Sequence, residues 1–126
     1  MARANEELQI WQWNCRSFAR KKASLQQYLR SHKAKPHVIL LQETAVPTTT
    51  FSGYQWLPCP QGGRGTATLV ANKITCMAHD LTIPEIEHVM VEILPGHASQ
   101  QSVYILNVYI SASSRTSPTP LGTTSR

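Results

Sequence analysis

A chain of 126 residues has room for one modest domain and not for two. Its 41% hydrophobic content excludes wholesale disorder, and its apolar runs, none longer than four or five residues, fall far short of a membrane-spanning segment. The net charge of +5 and pI near 9.4 tilt the choice of partner weakly toward polyanions.

The distribution of charge says more than its sum. Arg16, Arg20, Lys21, Lys22, Arg30, Lys33 and Lys35, seven of the 12 basic residues, lie between Leu8 and Gln42, a stretch with no Asp or Glu. A solvated helix face is the ordinary reading of such a run, and a nucleic-acid-binding face is the alternative. Cys15, Cys59 and Cys76 make no CxxC pair and no zinc-like spacing, which suits free thiols in a reducing compartment. The opening MARANEE is polar and leads into no apolar signal core, so an intracellular protein is expected.

Residues 1–7 are expected to be disordered. Leu8–Asn14 (LQIWQWN) has the aromatic content and partial alternation of a strand. Ser17 is placed to cap a helix whose apolar positions Phe18, Leu25, Leu29 and His32 recur near 3.6 residues, running to about Ser31. Pro36 ends that region. His37–Gln42 (HVILLQ) is a continuous apolar run, as in a strand covered on both faces. Strand, helix, buried strand is a βαβ-like opening that makes the two strands neighbours. Further strands are expected at Tyr54–Leu57, Thr66–Ala71, Glu87–Leu94 and Val103–Ile110. The segment Gln61–Gly65 between two of them lacks the GxxxxGK[ST] phosphate-loop pattern and reads as a hairpin turn. Residues 112–126 are almost purely Ser, Thr, Pro and Gly and are expected to be a disordered tail. The order expected for 8–111 is a βαβ start followed by antiparallel strands, an α+β or mixed-sheet sandwich half.

Three residues carry chemistry in this layout. Glu43 follows the buried run, where ligand sites gather at the carboxyl ends of strands, and its carboxylate suits Mg²⁺, a hard cation held by one or two carboxylates. Taken alone, a salt-bridged strand-end glutamate is the commoner case. Asn14 ends the first strand and can orient a carboxylate or phosphate oxygen, although turn asparagines are common. Tyr109 shares a strand face with Asn107 and can donate to a phosphate, against the usual half-buried sheet tyrosine.

The order WNCR, then LLQET, then GGRGTATLV, then NVY resembles the endonuclease/exonuclease/phosphatase superfamily over 8–111. The wording LQIWQWNCRS and VILLQET is most similar to the N-terminal part of the apurinic-type endonuclease domain of non-LTR retrotransposons. The resemblance implies the α+β fold of that superfamily, here the N-terminal part of a two-sheet β-sandwich flanked by helices. It also implies a Mg²⁺-dependent hydrolase that nicks DNA to prime retrotransposition, works in the nucleus, and is joined in its parent chain to a reverse transcriptase. It assigns Asn14 to the supporting network, Glu43 to the metal, Tyr109 to the scissile phosphate, and Arg16, Arg20, Lys21 and Lys22 to nucleic-acid contact. The family's later GDxN block, further aspartate and SDH pair have no counterpart, since no Asp, Glu, His or Asn follows Tyr109. The isolated chain is therefore expected to be inactive and, with an exposed strand edge or apolar face, poorly cooperative or aggregation-prone. A non-catalytic remnant that binds nucleic acid weakly, and a phosphoesterase of the same superfamily, are the alternatives.

Overall fold

The computed structural model describes residues 7–46, 48–60, 65–96 and 100–110. The segments 1–6 and 111–126 and most of the Gln61–Gly65 turn lie outside the described residues.

The first strand, β1 (Ile10–Asn14), runs parallel to β2 (Val38–Gln42), with helix α1 (Phe18–Arg30) as the crossover. Antiparallel pairing of β2 with β4 (Thr66–Ala71), and of β4 with β3 (Tyr54–Pro58), gives a four-stranded mixed sheet in the order β1-β2-β4-β3. Three antiparallel strands, β5 (Cys76–His79), β6 (Glu87–Ile93) and β7 (Val103–Tyr109), form a second sheet in chain order. The architecture is α+β, with two sheets and one helix among the described residues.

Strand alternation explains the layering. One face of the first sheet turns Ile39, Leu41 and Leu69 toward Phe18, Leu25 and Leu29 of α1, in a core that includes Cys15 and Phe51. The other face turns Val38 and Val70 toward Val89, Val91, Ile93 and Ile105 of the second sheet. β2 is thus covered on both sides, which is why it reads as an uninterrupted apolar run. The buried Asn107 fastens the layers. Its amide nitrogen donates to the Leu41 carbonyl (3.2 Å), the Ala67 carbonyl (3.0 Å) and the Thr68 hydroxyl (3.2 Å), and its oxygen accepts from Gln42 (2.9 Å).

Several boundaries differ from the sequence reading. β1 begins at Ile10 because the Gln9 N–H donates to the His37 ring at 2.9 Å instead of joining the ladder. Ser17 is no side-chain cap: it has φ 93° and makes no capping hydrogen bond. Instead, the Ser17 and Phe18 amides donate to the Glu43 and Thr44 carbonyls at 2.7 and 2.8 Å, so the loop after β2 caps the helix through its backbone. The helix ends at Arg30. His32 lies beyond it, its ring against Trp11 and Tyr28, and Lys35 donates to the Leu29 and His32 carbonyls, a cation at the helix C-terminus. β5 went unread because CMAH has no alternation of its own; its strand geometry comes from pairing with β6. Among the described residues no helix is long and apolar enough to cross a membrane.

The outer face of the second sheet carries His79, His88 and Glu92 and leaves Met77, Tyr104, Leu106 and Val108 exposed, with Ile110 exposed just past β7. β7 is also an edge strand.

Candidate active-site cleft

The ends of five strands meet at one end of the sandwich. β1 ends at Asn14 and β2 at Gln42, β4 begins after Gly65, β6 begins at Glu87, and β7 ends at Tyr109. Between them is an open cleft of about 390 Å³ lined by Arg16, Ser17, Glu43, Ala45, Gly65, Glu87 and Tyr109. A larger concavity, about 1210 Å³, lies at the opposite end of the first sheet near Arg30, Lys33 and Lys73. Size does not make it the site, because the paired carboxylates are in the smaller cleft.

The Asn14 amide donates to Glu43 Oε2 at 3.2 Å across 29 residues of sequence. Parallel register places them together: Asn14 is opposite Gln42, and Glu43 is the next residue. The turn is held from below by Cys15, whose amide donates to the Gln42 carbonyl at 2.9 Å and whose thiol approaches the Gln42 and Glu43 carbonyls at 3.4 and 3.7 Å. Burial pushes the Cys15 thiol pKa up, so it stays protonated and donating.

Gly65 links the cleft's two acidic walls. Its carbonyl accepts from the Glu43 amide at 2.6 Å, and its own amide donates to Glu87 Oε1 at 2.7 Å. A Cβ on Gly65 would lie 2.5 Å from Glu87 Oε1 and 2.6 Å from Tyr109 Cδ2, so any side chain there forces one or both neighbours away. Gly65 is thus more than the end of a hairpin turn. Behind it the Thr66 hydroxyl is buried and has no hydrogen-bond partner among the described residues, a condition that costs about 1–3 kcal/mol. Thr66 sits opposite Gln42 in the ladder.

Backbone strain concentrates at the same place. Five non-glycine described residues have positive φ, and four of them, Arg16 (49°), Ser17 (93°), Glu43 (56°) and Ala45 (62°), line the cleft. Such conformations cost about 1–3 kcal/mol each and cluster at functional sites.

The three residues singled out from sequence, Asn14, Glu43 and Tyr109, therefore come to one end of the sandwich. Glu87 joins them, a residue that no sequence motif marks. It is the register partner of Tyr109 and continues the inward alternation of Val89, Val91 and Ile93 by one step. A carboxylate in that alternation was the available signal. The four basic residues do not act as one patch. Arg16 lines the cleft and Arg20 is exposed. Lys21 is committed to the Cys15 carbonyl at 2.9 Å, with its ammonium 6.0 Å from the Trp13 ring. Lys22 is half-buried, on the stripe that carries Phe18 and Leu25.

Among the described residues no group of three or more His, Cys, Asp or Glu side chains gathers to hold a metal. The donors in the cleft are all hard oxygens, two carboxylates with Asn14 beside one of them and no imidazole or thiolate. That set fits Mg²⁺, which keeps several waters and takes one or two carboxylates plus substrate phosphate. No protein-family model matches the chain, and no curated protein matches it.

Proposed function

We propose that the cleft is the metal-side half of a divalent-cation-dependent phosphodiesterase site, and that it serves a DNA-nicking endonuclease of the endonuclease/exonuclease/phosphatase type resembled by the sequence. The observation that carries this reading is the Asn14–Glu43 hydrogen bond, which joins two motif residues 29 positions apart at the mouth of a cleft that also holds Tyr109.

The chain's own residues have separable tasks in this reading. Asn14 fixes the Glu43 carboxylate by donating to one oxygen, and the other oxygen would be available to hold a divalent cation. Arg16 offers a planar guanidinium to a phosphate oxygen. The Tyr109 phenolic O–H would donate a hydrogen bond to a non-bridging oxygen of the scissile phosphate. A bound Mg²⁺ supplies Lewis-acid polarisation and neutralises charge on the phosphate. The 126 residues contain no Asp or His after Tyr109 that would activate the attacking water. Removing members of a catalytic unit costs many orders of magnitude, so the chain by itself does not turn over.

Paramagnetic line broadening of the ¹⁵N-labelled chain by Mn²⁺ tests the metal half directly. Broadening centred on Asn14, Glu43, Gly65 and Tyr109, and lost in Glu43→Gln, is the expected result. Broadening confined to other acidic residues, or unchanged by Glu43→Gln, would sink the reading.

A further inference from the structure

We propose that Glu87 is a second metal-facing carboxylate, delivered by the second sheet to the cleft that Glu43 enters from the first, and that Gly65 is the residue that positions it. The proposal rests on reading the cleft as a divalent-cation site and adds to it a ligand that no sequence motif marks.

Glu87 places a half-buried carboxylate at the start of an inward-facing apolar row. Its strand alternates inward through Val89, Val91 and Ile93, all buried in the inter-sheet core. Glu87 extends that inward row to the sandwich end, opposite Tyr109. One oxygen accepts the Gly65 N–H at 2.7 Å, which fixes the carboxylate's direction without neutralising its charge. Glu43 and Glu87 then bring hard oxygen donors from both sheets to one small cleft, the donor type that Mg²⁺ takes. Arg16 lines the same cleft, yet it makes no ion pair with either among the described residues.

Gly65 couples the two carboxylates mechanically. The same peptide holds the Glu43 backbone by its carbonyl and the Glu87 side chain by its amide. The space beside its Cα is filled by Glu87 and the Tyr109 ring. Only glycine permits that approach. A cation bound by both carboxylates would therefore join the two sheets at their open end, and binding would stabilise the sandwich by linkage.

The test is a Mn²⁺ titration of the full 126-residue chain, followed by the electron paramagnetic resonance signal of free Mn²⁺. Glu87→Gln retains a carbonyl for the Gly65 amide and loses only the charge, so it separates a ligand from a mere backbone acceptor. The expected result is at least about tenfold weaker binding in Glu87→Gln, in line with the 10–100-fold effects of perturbing metal-site partners, and similarly weaker binding in Gly65→Ala with both carboxylates present. Binding by Glu87→Gln within about twofold of the parent, with Glu43→Gln weakened, overturns the role of Glu87 and leaves the cleft reading standing. Absence of saturable Mn²⁺ binding by the parent chain overturns both. A measurement without any variant guards against misfolding: on Mg²⁺ addition the ¹³C side-chain carboxyl resonance of Glu87 should shift together with that of Glu43. A stationary Glu87 resonance beside a shifting Glu43 overturns the proposal.

Discussion

Replacing Asn107 with alanine should loosen the inter-sheet attachment directly behind Tyr109. The wild-type side chain makes four hydrogen bonds, to the Leu41 and Ala67 carbonyls, the Thr68 hydroxyl and the Gln42 amide. Each is worth about 0.5–1.5 kcal/mol net, and each partner left buried without a replacement costs about 1–3 kcal/mol. Local relaxation and entry of water to the cavity reduce the sum, and a loss of about 2–4 kcal/mol is the working figure. Tenfold corresponds to about 1.4 kcal/mol, so amide-exchange protection of Ile105, Asn107 and Tyr109 should fall by about 30- to 1,000-fold. Exchange is the appropriate assay because it reads β7 residue by residue without requiring a two-state melt. Gln42→Leu, combined with Asn107→Leu, supplies a control: removing both partners of the shared bond should cost less than the sum of the single changes. Protection in Asn107→Ala within a factor of three of wild type would refute the inter-sheet role assigned to this residue.

Three further outcomes are expected. The isolated chain should not nick supercoiled plasmid in Mg²⁺, while binding DNA weakly with an affinity that falls as salt rises; Glu43→Ala should leave that binding intact, and metal-dependent nicking by the chain alone would contradict the division of labour proposed for the site. The uncovered Leu106 and Val108 beside the β7 edge should cause concentration-dependent association, relieved by Leu106→Lys with Val108→Thr; light scattering that stays monomeric, with a sharp reversible melt, would contradict it. Hydrogen bonds from Ser102 and His79 hold the Glu92 carboxyl below its ordinary pKa, so its contribution is present above the unfolded glutamate value and is lost as pH falls through the lowered one. Acid should thus release Ser102 and His79 from Glu92, and a ¹³C titration of Glu92 at or above the ordinary value would show that the network is not formed.

How much of this was legible in the sequence depended on whether local pattern and tertiary contact agreed. β2 and β4 were readable because burial on both faces writes itself as an apolar or β-rich run, and the stripe of Phe18, Leu25 and Leu29 gave α1. The Ser17 cap misled because helix capping there is done by the Glu43 and Thr44 carbonyls, from a loop more than twenty residues away. β5 carries no alternation and exists through its neighbour. Glu43 and Asn14 were found by their position at strand ends. Glu87 was not, because its meaning depends on the fold of the opposite sheet and on a glycine 22 positions earlier. The basic run looked like one surface in sequence, but the structure commits Lys21 to the Cys15 carbonyl and Lys35 to the helix end.

The most direct measurement of the central claim is anomalous diffraction from crystals of the chain soaked in Mn²⁺. One peak in the cleft, about 2.0–2.2 Å from a Glu43 carboxylate oxygen as expected for a small hard divalent cation, is the predicted result. A cleft without a peak at saturating Mn²⁺, or a peak only at Asp80 or Glu92, would contradict the assignment of this site to metal-dependent phosphodiester chemistry.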